Sequence, residues 1–67
     1  MSRIEIFQHN DPAAFYGKID DATVMDHKDK FRILLGHHPQ GPVLEYYGLK
    51  TIISEEDVIA LRKVGIK

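Results

Sequence analysis

Four histidines, His9, His27, His37 and His38, are the side chains that most readily suggest chemistry, because imidazole is the commonest protein ligand for transition metals. A metal centre needs three or four donors converging on one point at about 2.0–2.2 Å. If the polar segment Lys28-Asp29-Lys30 closes a hairpin that sets His27 against Phe31, then Asp21 faces His37 and His27 lies several residues along the ladder. That spacing joins too few donors, so the histidines read as hydrated loop residues and no metal is expected. Asp20, Asp21, Asp26 and Asp29 crowd the same hairpin, and paired carboxylates can hold a divalent cation or act as acid and base. Lys28 and Lys30 interrupt them, no EF-hand spacing is present, and turns favour aspartate for backbone reasons alone. Ser54 reads as a helix cap, Ser2 is close to the start of the sequence, and Thr23 and Thr51 have no histidine at a readable spacing. Gly36, Gly41 and Gly48 match no phosphate-binding fingerprint. The absence of cysteine removes disulfides, thiolate zinc sites and cysteine nucleophiles together. Neither an enzyme nor a cofactor is expected.

The elements that must position these residues follow from periodicity. Ile4 and Ile6 alternate against Arg3, Glu5 and Phe7 in a strand over Arg3–Gln8. Asp11 can cap, Pro12 fits a first helical position and Gly17 can end a helix, which predicts a short helical turn over Asn10–Gly17. Thr23–His27 and Phe31–Leu35 read as paired strands, Gly36–Pro42 as a Pro39-containing turn, and Val43–Tyr47 as a strand that either continues past Gly48 or gives way to another over Leu49–Ile53. Ser54-Glu55-Glu56-Asp57 opens a capped helix that carries Val58, Ile59, Leu61 and Val64 and stops at Gly65. The expectation is one α+β domain over residues 1–67: a small antiparallel sheet of 3–5 strands, a short N-terminal helical turn, and a C-terminal helix packed on one face.

Strand alternation places Phe31, Ile33 and Leu35 on one face with Ile4, Ile6, Val43 and Tyr47, beneath the helix. The opposite face then holds Arg3, Glu5 and Arg32, and also Phe7, Leu34, Leu44 and Tyr46. Leaving half of those four large side chains wet forgoes about 7 kcal/mol at about 25 cal/mol per Å², comparable to the whole stability of a small domain. A cover is therefore expected, either from the N-terminal segment or from a second molecule. The leading reading is a non-enzymatic protein-interaction module, a small inhibitor or accessory factor of the kind found in phages and mobile elements. It would bind another protein or a second copy of itself through Phe7, Arg32, Leu34, Leu44 and Tyr46, with rim charges such as Glu5 and Glu45 setting specificity.

The alternative is a small nucleic-acid-binding regulator using Lys50, Arg62, Lys63 and Lys67 at the basic end of the helix. Gly48-Leu49-Lys50 followed by Ile53-Ser54-Glu55-Glu56-Asp57-Val58-Ile59-Ala60-Leu61 resembles the wing-to-helix stretch of MerR-type regulators, although the helix-turn-helix that reads DNA in that family has no counterpart upstream. The triplet His38-Pro39-Gln40 is similar to peptides selected for streptavidin binding, and its residues also suit a plain Pro–Gly turn. A net charge of −1 supplies no global attraction to phosphate or anionic lipid. The apolar runs fall well short of the roughly 20 residues a membrane span needs, and the first residues lack the apolar core of a signal peptide, so a cytoplasmic protein is expected.

Overall fold

The computed structural model describes residues 2–67 and builds six strands and one α-helix: β1 Ile4–Ile6, β2 Ala14–Ile19, β3 Ala22–His27, β4 Phe31–Leu34, β5 Val43–Tyr46, β6 Leu49–Ile52 and α1 Glu55–Lys63. They form two antiparallel three-stranded meanders, β1-β2-β3 and β4-β5-β6. Each is held by tight turns. Ile19 pairs with Ala22 across Asp20-Asp21, with Asp20 at φ 55°. Tyr46 pairs with Leu49 across Tyr47-Gly48, both left-handed at φ 50° and 79°, as a two-residue hairpin turn that follows strand twist requires. Asp20 also pins the start of β1: its N–H donates to the Arg3 carbonyl at 2.8 Å and its carboxylate accepts the Arg3 N–H at 3.0 Å.

The α+β class stands, with two corrections. The expected helical turn is a single turn, closed by Ala14 N–H to the Asp11 carbonyl at 3.2 Å and by Ala13 N–H to the Asp11 carboxylate at 2.9 Å. Capping chemistry at Asp11-Pro12 operates as the sequence suggests, but Phe15, Gly17 and Ile19 then face inward with period two and the chain runs on as β2. The second correction concerns pairing. β3 does not pair with β4; His27 faces Ala14 and Phe31 faces Tyr46. The one-turn 3-10 helix Lys28–Lys30 carries the chain from one sheet into the other, so the single sheet of the sequence reading becomes two.

Register fixes which side chains are enclosed. In the first sheet the inward rows are Ile4–Ile19–Ala22, Ile6–Gly17–Val24 and Phe15–Asp26; in the second they are Phe31–Tyr46–Leu49 and Ile33–Leu44–Thr51, with Ala22 and Leu49 left exposed at the ends of their rows. Phe15 and Phe31 meet between the sheets with ring centroids 4.9 Å apart. Ile53, Val58, Leu61 and Ile66 complete the buried cluster with Leu44. The helix that supplies two of these begins with a reciprocal capping box between Ser54 and Asp57. Backbone bonds from Ser2 N–H to the Ile52 carbonyl and from Ile33 N–H to the Lys67 carbonyl tie both chain ends to the second sheet.

The face assignment is corrected accordingly. Leu44 is 1 % exposed and Tyr46 points inward, because each lies across from an inward residue of β4; Leu35 and Tyr47, expected inside, are more than half exposed. Val43 lies in the outward row with Leu34 and Ile52, yet it too is buried.

Gly17 is the position where the first sheet admits no side chain. A Cβ there would strike the Glu5 carbonyl oxygen of β1 and come within 2.9 Å of the Phe15 ring. Gly17→Ala is expected to lower unfolding stability by about 2–3 kcal/mol, the scale of core overpacking, as read from urea denaturation against wild type.

Candidate protein-binding surface

The five residues expected at a common interface are divided among three places. Phe7 projects from the outer face of the first sheet, in line with Tyr16 and Met25, because Phe7 N–H bonds to the Tyr16 carbonyl and Tyr16 pairs with Met25. Arg32 and Leu34 project from the outer face of the second sheet, and Leu44 and Tyr46 face its interior. A single surface joining all five does not exist.

What the fold does present is an apolar row across the whole first sheet. The Phe7 and Tyr16 rings meet edge-on at 5.1 Å and His9 packs against Tyr16 at 5.9 Å, while Met25 is 60 % exposed. The row beside it is Glu5–Lys18–Thr23, a charged border. The helix contributes its buried Val58 and Leu61 to the inner cluster, on the other side of the sheet. Tyr16 and Met25 were the members that sequence reasoning missed. The signal was available in principle: once Phe15 and Gly17 face inward on a strand, Tyr16 must face outward.

Lys28 links this row to a second feature. It lines the groove of about 600 Å³ that contains Phe7, His9 and Tyr16, and also a neighbouring groove of about 730 Å³ that contains His27, Asp29, Arg32 and Lys67. Arg62 and Lys67 share the adjoining hollow at the end of α1. Of the residues expected to contact nucleic acid, Arg62 and Lys67 are thus together, with Lys63 next to Arg62 on the helix. Lys50 lies in the second sheet, opposite Glu45 and two strands from Arg32.

Asp26 of β3 and Tyr46 of β5 meet at the inner edge of the second sheet. The Tyr46 hydroxyl donates to the Asp26 carboxylate at 2.8 Å, joining β5 to β3, and His27 N–H donates to the same carboxylate at 2.7 Å. The Tyr46 ring stacks on Phe31 at 4.3 Å and meets Tyr47 edge-on at 4.6 Å. The bond from Tyr46, then that from His27, holds the Asp26 carboxyl below its usual range. Burial, then the Asp26 bond and charge, pushes the Tyr46 hydroxyl up to about 12, and the bond to Asp26 raises Tyr47. These partners make the pair a brace between the sheets.

An apolar cleft of about 270 Å³ runs beside this brace between Val24, Leu44, Tyr46 and Leu49. It falls below the roughly 300 Å³ at which small-molecule pockets begin. Among the described residues, no three His, Asp or Glu side chains gather as a metal would require. His38 and Gln40 serve the loop itself: Gln40 N–H donates to His38 Nδ1 at 3.1 Å and Gly41 N–H to the His38 carbonyl at 3.3 Å. No helix among the described residues is long and apolar enough to cross a membrane. Comparison with known protein families, with curated proteins and with solved structures finds no match to this chain.

The brace has a definite pH signature. Asp26 is lowered on folding, so its contribution is complete above the ordinary carboxylate value of 3.8 and is lost as pH falls through the depressed one. Tyr46 is raised, so its contribution is complete below 10.0 and is lost as pH climbs to about 12. Tyr46→Phe is expected to melt at a lower temperature than wild type at pH 7 and to show less loss of stability between pH 10 and 12. Melting curves across that range check it.

Proposed function

We propose that this chain is a non-enzymatic protein-interaction module that binds another protein through the outer face of its first sheet and acts by covering or bridging that partner. The observation that carries the reading is the Phe7–Tyr16–Met25 row, which runs from the residue just after β1 across β2 to β3 and ends in a methionine that is 60 % exposed. Aromatic residues and methionine are the types enriched at the centres of protein interfaces, where a charged border such as Glu5 and Lys18 fixes orientation. Three of the hydroxyls weighed for nucleophilic chemistry have structural work: Ser54 caps α1, and the Ser2 hydroxyl bonds to that of Thr51. This supports a binding role over a catalytic one.

Burying a further 100 Å² or so of Met25 on a partner is worth about 2 kcal/mol, or about thirtyfold in affinity. Affinity capture from the source cells with wild-type protein and Met25→Asp side by side is the test. Met25 faces outward, so both proteins should melt at similar temperatures. A protein retained by wild type and lost with the variant upholds the reading; equal retention by both overturns the assignment of this face. Sedimentation of the purified chain identifies the other occupant: mass that rises with concentration for wild type but not for Met25→Asp makes the partner a second copy.

A further inference from the structure

We infer that the partner carries an acidic segment, which lies in the cationic groove between the Lys28–Lys30 turn and the C-terminal residues while its apolar side chains cover the Phe7–Tyr16–Met25 row. The inference rests on the interaction reading above and names the partner's chemistry. Its basis is a gathering of charge that the linear chain conceals. Lys28 and Arg32 come from one segment of the sequence and Arg62 and Lys67 from another some thirty residues on, yet they border one groove and the hollow that continues it. One acidic side chain, Asp29, lines the same groove. Among the described residues, Arg32 is the one of these cations with a carboxylate partner, Glu45 at 3.9 Å, and its side chain remains 69 % exposed. An exposed pair of that length is worth little, so the guanidinium is available to a ligand. Lys28 extends its side chain along Gly65, just past the C-terminus of α1.

Continuity with the apolar row selects the kind of anion. Lys28 lines both grooves, and His27 follows Met25 by two positions on the same outward face of β3. A ligand crossing from one to the other meets aromatic and methionine side chains first and cations next. Two guanidinium groups suit the paired oxygens of a carboxylate as they do those of a phosphate, so the apolar row makes the choice between them. A nucleic acid duplex would offer phosphate charge at about every 1.7 Å and no apolar surface for the row, and the chain as a whole is net negative. Glu55, Glu56 and Asp57 sit at the opposite end of a helix about 13 Å long, so an acidic segment is attracted to one end of the molecule and repelled from the other.

Fluorescence anisotropy with three labelled probes tests this: a peptide alternating Glu and Phe, its Lys and Phe counterpart, and a short DNA duplex. The acidic peptide is expected to bind at about 20 mM salt and to weaken markedly at about 200 mM. The double variant Arg32→Glu/Lys67→Glu, exposed at both positions and checked for native circular dichroism and melting, is expected to bind it at least about tenfold more weakly. Equal binding of the basic peptide, tighter binding of the duplex, or unchanged affinity in the double variant overturns the inference. Met25→Asp separates it from the reading beneath it. Binding lost in Met25→Asp but retained in the double variant keeps the apolar row and overturns the acidic partner; the reverse keeps the cationic groove and overturns the row.

Discussion

Everything in this molecule hangs on the contact between Phe15 and Phe31, which holds two small sheets against each other. Neither sheet could stand alone, since three short strands with one apolar face must bury that face against something. Phe15 belongs to the first sheet and Phe31 opens the second, and their rings meet 4.9 Å apart with almost no exposure. Gly17 makes the contact possible. By presenting no side chain beside Phe15, it lets that ring lie over the β2 backbone. Tyr46 extends the stack from Phe31 and anchors it to β3 through Asp26. The C-terminal helix then closes the core with Val58 and Leu61.

This arrangement decides what is left over for binding. With Phe15, Leu44 and Tyr46 drawn between the sheets, Met25 remains outside on the far face of the first sheet, while Leu35, Tyr47, Leu49 and Ile59 are exposed elsewhere. Leu44 and Tyr46 were among the side chains expected to seek a partner, and the fold satisfies them internally. Tyr16 and Met25, which alternate with inward residues, take their place at the surface. The same topology moves the 3-10 turn Lys28–Lys30 next to the end of the helix, so cations from distant parts of the chain become neighbours. The cationic groove is therefore a product of one connection, the crossing from β3 into β4.

Much of the local structure was legible in the residues. Ser54 and Asp57 announce a capped helix and form one, Pro39 and Gly41 announce a turn and form one, and Asp11-Pro12 begins a turn as its chemistry dictates. These signals depend on a residue and its near neighbours, so no knowledge of the fold is needed to use them. Phe7 is outward for the same reason: its alternation with Ile4 and Ile6 holds whatever the strand pairs with.

Pairing and enclosure were a different matter. Residues 14–17 could serve a short helix or a strand, and only the presence of β1 and β3 on either side, with Phe15 buried against Phe31, decides for the strand. The segment Lys28–Lys30 could close a hairpin or cross between sheets, and nothing local distinguishes the two. Once it crosses, Phe31 pairs with Tyr46, and Leu44 and Tyr46 turn from outer face to core in a single step, because strand neighbours share a face in pairs. The sequence by itself determined the α+β class, the caps and turns, and the alternation within each strand, all short-range properties of the backbone. Which strands meet, which apolar rows are enclosed and which charges become neighbours are long-range packing outcomes, and only the tertiary structure decided them.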